Sequence, residues 1–453
     1  MARLAKKSCF VLILVLLVIG FIEGAVWVMV SILNGRTMSL QTLSAERASI
    51  AATRMESKSD DSEPESTHEE GPGSTKTVTV ADALHPFLGF VHNPKKMPHV
   101  NPIGFWQSSM DLPVRDPGSV IVGIFGGSFA EGVSVKGWHA LEQRLTAIPE
   151  FSGRQVRPFC YALGGYKQPQ QLMTLAWLLV NTARFDIVIC VDGFNEVALP
   201  PAENIPKGIN PFYPRNWALL TGNIDRESLI IAGEIAVLKQ QRADWANRFN
   251  KKPLALSPSM NTLWDFFDQR FEEQISELTV RYDMTGPIEP DEVPYDLTGQ
   301  SVRYDSEEAM YADLACFWAD CSIQMARLCE ANGIRFFHFL QPNQYLEGSK
   351  VIGDAERRVA IKENHLYKPG VEKGYPHLIE QGRRLVAEGI WHADLSAVFT
   401  GIETPYYVDD CCHLNDEGYT VIGEVIGRFI EQLTAARRRH DPTIPVPFTA
   451  AEL

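Results

Sequence analysis

The sequence predicts an α/β fold built on a parallel sheet with helices on both faces. Three observations predict it. Short β-branched runs recur along the chain, and amphipathic helical patterns lie between them. The strand ends pass into loops rich in glycine and polar residues. Strands that alternate with helices in this way pair in parallel and are covered on both sides.

Five strands are expected. The first is "SVIVGIF" (119–125), the third "FDIVICVD" (185–192) and the fourth "RFFHFL" (335–340). The second, "VRPFCYAL" (156–163), is weakened by Pro158, which cannot donate to a ladder. The fifth is "GIWHADLS" (389–396). The clearest helix follows "YDSEE", where Met310, Leu314, Phe317, Cys321, Met325 and Leu328 make one apolar face. Asp305 with Glu308 is the expected capping box, and Gly333 the stop. A last helix over about 416–434 stacks Ile422, Val425, Ile426, Phe429, Ile430 and Leu433. Residues 198–304 break the rhythm with a long polar helix near 226–250 and the aromatic cluster "LWDFFDQRF". They are expected as an insertion covering the carboxyl edge of the sheet.

The ends of the chain carry different physics. Lys6 and Lys7 precede an apolar stretch from Cys9 to Leu33, interrupted by one charge, Glu23. As a helix this stretch is roughly 37 Å long, enough to cross a ~30 Å hydrocarbon core with tilt. The expected organisation is a cytoplasmic N-terminus (1–8) and a transmembrane signal-anchor (9–33), with cleavage as a signal peptide the rival reading. Arg3, Lys6 and Lys7 lie before the span and Arg36 alone close after it. The rest of the chain is therefore expected outside the cytoplasm, periplasmic or at the cell surface if bacterial. Glu23 reads as a helix–helix contact or a side chain reaching interfacial water. Residues 34–79 read as a disordered stalk, since "MESKSDDSEPESTHEEGPGS" (55–74) is acidic and nearly free of apolar side chains. The folded domain is expected over 80–440 and a tail over 441–453.

Composition excludes some functions. The formal net charge is -14, and no clustered basic face appears, which argues against nucleic acid. The eight cysteines show no CxxC pair and no zinc-type spacing, so no metal site is expected. Cys160 and Cys190 fall inside strand patterns and read as core. Cys316 and Cys321 are poorly placed to bond each other. Cys411 and Cys412 admit a vicinal disulfide or a bond to a distant cysteine, with buried thiols the favoured reading.

The chemistry lies after the strands, where parallel sheets bind ligands. The first strand runs into Gly126-Gly127-Ser128-Phe129-Ala130-Glu131-Gly132, and the second into Leu163-Gly164-Gly165-Tyr166. After the third comes Asp192-Gly193-Phe194-Asn195-Glu196, and after the fifth "VDDCCHLNDEGY". A serine hydroxyl needs a base to become a nucleophile. His413 is the candidate base, and Asp410, three residues before it, the candidate acid that orients it. The backbone N–H groups of Ser128 and Gly165 and the side-chain amide of Asn195 can donate to an oxyanion. Gln341 and Asn343, after the fourth strand, are candidates for binding sugar hydroxyls, against a plain polar loop.

These blocks resemble the SGNH hydrolase superfamily, the GDSL-type esterases and acyltransferases. The family's G-D-S-x-x-x-G, second-block Gly, G-x-N-D and D-x-x-H read here as GGSFAEG, LGGY, GFNE and DCCH, in the family's order, over about residues 85–435. The resemblance implies a flavodoxin-like three-layer α/β/α fold with a five-stranded parallel sheet. It implies Ser128 as nucleophile and first oxyanion donor, Gly165 (or Gly164, one residue earlier) and Asn195 as the other donors, and Asp410 and His413 as acid and base. It implies no metal or organic cofactor. Two positions depart: Gly127 stands for the Asp of G-D-S, and Glu196 for the Asp of G-x-N-D. The expected activity is hydrolysis of an O-acyl ester, with acetyl the expected acyl group and an acylated surface carbohydrate the leading substrate. The same residues suit O-acyl transfer to a sugar hydroxyl. A third reading is a non-catalytic tethered domain that binds a glycan or partner; its mark would be damage to the Ser/His/Asp set, and none is seen.

Overall fold

The computed structural model describes residues 2–33, 47, 82–95, 97, 100–106, 112–221, 226–252, 254–284 and 295–439. The expected stalk (34–79) and tail (441–453) therefore fall outside the described residues, apart from Arg47. The chain divides into two compact units, one of residues 79–224 with 286–453 and the other of residues 1–78 with 225–285.

The first unit holds the sheet. A short antiparallel pair, β1 (Asp82–His85) and β2 (Gly89–His92), precedes it. The sheet itself has β3 (Ser119–Gly126), β4 (Gln155–Ala162), β5 (Ile187–Asp192), β6 (Arg335–Leu340) and β7 (His392–Asp394), all parallel, in the order β4-β3-β5-β6-β7. The first strand of the sheet thus sits second, which is the flavodoxin-like order. Pro158 pairs with Val122 from the edge strand, the one place in a sheet where its missing N–H is tolerated.

The pleat of β3 explains the three layers. Val120, Val122 and Ile124 enter one core with Leu141, Leu145, Ile422, Ile426 and Phe429. These come from the helices Trp138–Ala147 and Asp416–Arg439. Ile121 and Phe125 point the other way, to Leu175, Leu178, Met325 and Cys329 on the helices Gln170–Val180 and Glu307–Ala331. Each fully buried Val, Leu, Ile or Phe side chain of this kind stabilises the fold by roughly 1.5–3 kcal/mol over leaving it exposed.

Two boundaries differ from expectation, for local reasons. The fifth strand is three residues long rather than 389–396. Residues 389–391 close the preceding helix instead: Gly389 has φ +82° and Ile390 N–H donates to Leu385 O at 3.0 Å. Asp394 then ends the strand by accepting from Ser396 N–H at 2.8 Å. The helix Glu307–Ala331 is capped by Ser306, whose Oγ accepts from Ala309 N–H at 3.1 Å, not by Asp305. Its stop is Gly333, at φ +63°, as the sequence indicates.

The stretch 198–304 is divided between the units. Residues 198–224 and 286–304 stay with the sheet, whereas 225–285 belong with the N-terminal segment. In that second unit the helices Arg226–Phe249 and Pro258–Met284 pack together, with Arg242 Nη2 2.6 Å from Asp268 Oδ2. The apolar stretch 9–33 lies within one helix, Ala2–Leu33. Its Glu23 accepts from Ser257 Oγ (2.7 Å), Ser259 N–H (2.8 Å) and Ser259 Oγ (2.7 Å), a contact between helices that caps the second. Side chains of the first helix are described without a break only over 20–32. Among the described residues no helix is long and apolar enough to cross a membrane.

Candidate active site

Gly126 ends β3 with φ +145°, where a Cβ would lie 2.1 Å from Val191 O of β5. Gly127 follows in extended backbone, and a Cβ there would lie 2.3 Å from Asn195 Nδ2. This is a physical reason for glycine where the family pattern has Asp: any side chain at 127 displaces the Asn195 amide. Ser128 opens the helix Ser128–Gly132 and is half-buried.

Ser128 Oγ lies 2.7 Å from His413 Nε2. On the other side of the ring, His413 Nδ1 hydrogen-bonds to Oδ2 of Asp409. The expected acid, Asp410, is elsewhere. Its carboxylate lies 2.6 Å from Lys362 Nζ and 3.7 Å from His365 Nε2. The loop geometry decides between the two. Asp409 Oδ1 accepts from the backbone N–H groups of Cys411 (3.0 Å), Cys412 (3.0 Å) and His413 (3.1 Å). The chain is thereby curled around that carboxylate, and its second oxygen is left to meet the imidazole. The D-x-x-H spacing points to Asp410, and the structure puts the adjacent Asp409 on the ring instead.

The electrostatics of the pair are consistent. Burial opposes charging of the His413 ring, but the hydrogen bond and charge of Asp409, with smaller help from Cys411 and Glu131, raise its pKa above the ordinary value. Burial likewise opposes ionisation of Asp409, and His413 with the backbone donors outweighs it and lowers the pKa. Glu131, in the turn after Ser128, is pushed up by burial.

The loops beside the serine carry backbone N–H groups and one side-chain amide. Among the described residues, the backbone N–H groups of Ser128, Gly164 and Gly165 have no hydrogen-bond acceptor. Gly164 is the half-buried one, and a Cβ there would lie 3.9 Å from Ser128 Cβ. Gly165 holds φ +79°, with Arg215 Cδ 2.7 Å from where its Cβ would be. Asn195 is the second residue of the helix Phe194–Leu199, and its Nδ2 donates one hydrogen to Tyr166 O at 2.7 Å. An amide nitrogen carries two. Glu196 ties the two loops together by accepting from Gly193 N–H (2.8 Å) and Gln168 N–H (2.9 Å). Burial and the nearby Asp192 raise its pKa to about 8.

Gln341 and Asn343 are not placed to hold a ligand. Gln341 is 2 % exposed and Asn343 fully buried. Asn343 Nδ2 donates to Cys411 O at 3.0 Å, and Gln344 Nε2 to Asp409 O at 3.0 Å. These side chains brace the loop that carries Asp409 and His413. Cys411 and Cys412 are free thiols, the first half-buried and the second buried, with their sulfurs 3.6 Å apart.

Serine, histidine and aspartate meet a second time inside the domain. Ser322 Oγ is 2.8 Å from His338 Nδ1, and His338 Nε2 is 2.7 Å from Asp192 Oδ1. Trp318 Nε1 also donates to Asp192 Oδ1, at 2.6 Å. All three members are buried, at 0 %, 0 % and 2 % exposure, so no substrate reaches them. Access distinguishes the Ser128 set from this one.

No family model matches the chain, and no curated protein matches it. Solved structures do. One, described as an acylhydrolase from Bacteroides fragilis, is 14% identical with a TM-score of 0.34, covering 72% of this chain and 92% of its own. A GDSL-like lipase from Bacteroides thetaiotaomicron is 13% identical with a TM-score of 0.31, covering 69% and 88%. A lipase from a goat rumen metagenome is 11% identical with a TM-score of 0.28, covering 69% and 97%.

Proposed function

We propose that the chain is a serine esterase that hydrolyses O-acyl esters through Ser128, His413 and Asp409. The observation that carries this reading is the 2.7 Å approach of Ser128 Oγ to His413 Nε2, with a carboxylate on Nδ1 and unoccupied backbone donors beside the serine. His413 takes the serine proton as Oγ attacks the ester carbonyl. Asp409 keeps the proton on Nδ1, so that Nε2 faces the serine, and stabilises the imidazolium that forms. The negative charge on the carbonyl oxygen meets the N–H groups of Ser128 and Gly165 or Gly164 and the free amide hydrogen of Asn195. His413 then returns its proton to the leaving alkoxide. Water, activated by the same ring, releases the acid and restores Ser128. No step calls on a metal or organic cofactor.

The proposed setting is outside the cytoplasm on a membrane anchor. It is supported by the apolar stretch 9–33 and the basic residues Arg3, Lys6 and Lys7 before it. The proposed substrate is a short acyl ester, most naturally acetyl, on a surface glycan. That choice rests on the setting. The test is acetate release from acetylated glycans and from a simple aryl acetate by the wild-type chain and by Ser128→Ala. Loss of both activities in the variant supports the reading, and retention of either refutes it.

A further inference from the structure

We propose that Cys411, Cys412 and His413 form a binding site for one thiophilic divalent ion, which acts as an inhibitor by occupying the ring of the base. The inhibitory half of this proposal rests on the reading of His413 as that base; the binding half does not.

The geometry points to an ion. Both sulfurs and a ring nitrogen of His413 lie within 4.8 Å of one another. The two sulfurs are 3.6 Å apart. A tetrahedral zinc-type ion with bonds to sulfur of about 2.3 Å sets its sulfurs about 3.8 Å apart, so the pair needs almost no adjustment. The backbone is already fixed for the purpose. Asp409 Oδ1 holds three successive N–H groups of the loop, and Asn343 holds the carbonyl of Cys411. Half-buried Cys411 gives the ion a way in, and buried Cys412 gives it a second ligand shielded from water.

The chemistry selects the ion class. Two thiolates and a neutral imidazole favour soft or borderline ions such as Cd²⁺ and Zn²⁺ over Mg²⁺ and Ca²⁺. Binding exchanges two thiol protons for the ion and releases them to solvent, with no change of oxidation state. His413 has Ser128 on one nitrogen and Asp409 on the other. An ion that takes either nitrogen removes one of these partners and stops proton transfer. Among the described residues, the other compact set of such groups, Cys190, Asp192 and His338, is buried and already hydrogen-bonded to Trp318 and Ser322. An ion there would have to break that network.

The experiment uses Cd²⁺ with the reduced, metal-free full chain. Equilibrium dialysis measures stoichiometry, sulfur-to-cadmium absorbance reports thiolate ligation, and aryl acetate hydrolysis is followed in parallel. The expected result is one tight Cd²⁺ per chain and activity lost in step with occupancy, restored by a chelator. Cys411→Ala keeps the backbone N–H that Asp409 holds, and its own metal-free hydrolysis is the reference against which its inhibition is read. Its Cd²⁺ affinity should fall by more than the about 10–100-fold that loss of an outer-shell partner costs. His413→Ala should also bind Cd²⁺ more weakly, a readout that needs no activity. Unchanged Cd²⁺ affinity in Cys411→Ala or in His413→Ala overturns the site. Full occupancy with undiminished hydrolysis overturns the inhibition. A wild-type chain that hydrolyses no ester refutes the proposed function, and the two affinity measurements still decide the site.

Discussion

Asp409, not its neighbour Asp410, hydrogen-bonds to Nδ1 of His413, whose Nε2 faces Ser128. Asp410 instead pairs with Lys362. The two residues therefore predict opposite outcomes for the same substitution. Asp409→Asn should lower kcat by about 10⁴, because an amide at Nδ1 holds the ring in the wrong tautomer. Asp410→Asn should stay within a few-fold of wild type. Steady-state kinetics on an aryl acetate checks both, and a large loss in Asp410→Asn with little in Asp409→Asn would reverse the assignment.

Asn195 and Gly127 form a second test. Asn195→Ala should lower kcat by about 10²–10³ with a smaller change in KM, since its amide bond strengthens as charge develops on the carbonyl oxygen. Gly127→Ala should reproduce much of that loss with Asn195 itself unchanged, because its Cβ would fall 2.3 Å from Asn195 Nδ2. An effect on KM alone in Asn195→Ala would make it a substrate-binding residue.

The pH profile follows from the His413–Asp409 pair. The base works neutral, so kcat/KM should rise with pH through the His413 pKa and be lost below it. That pKa is raised, so the midpoint should lie above the ordinary histidine value of about 6.5. Asp409→Asn removes the main raising influence and should move the acid limb to lower pH. Linkage to stability runs the other way for His413. The raised His413 pKa contributes stability that is present below the unfolded value and lost as pH rises through the folded one. The lowered Asp409 pKa contributes stability that is lost as pH falls through it. A pH–rate profile of both proteins checks the shift, and an unchanged acid limb in the variant would contradict it.

The setting is testable apart from the chemistry. Full-length chain should pellet with membranes and resist high-salt extraction. A tag inserted after residue 80 should be reached from the non-cytoplasmic side. Recovery as a shortened soluble chain would mean that residues 9–33 are a cleaved signal peptide.

The legible parts of the fold were those fixed by local pattern. The run "SVIVGIF" became a fully buried central strand, and Ser128 follows it because Gly126 and Gly127 let the backbone pass close to β5 and Asn195. The illegible parts depended on three-dimensional competition. The D-x-x-H spacing points to Asp410, but the loop curls around the adjacent Asp409. The same holds for Asp305 and Ser306 at a helix start, where the serine took the cap. Gln341 and Asn343 read as ligand-binding because they follow a strand, but both are buried, and Asn343 holds the loop that carries Asp409 and His413. The helices of 226–284 carry polar faces that gave no sign of which unit they join.

The most direct measurement is the site of covalent labelling by a fluorophosphonate, read by intact mass and peptide mapping. The account predicts one adduct per chain, on Ser128, abolished in Ser128→Ala, and strongly slowed in His413→Ala where the base is gone. It predicts no adduct on Ser322, whose Ser-His-Asp contacts are sealed in the core. A folded chain that stays unlabelled, or one labelled at another serine and equally well in Ser128→Ala, would contradict it.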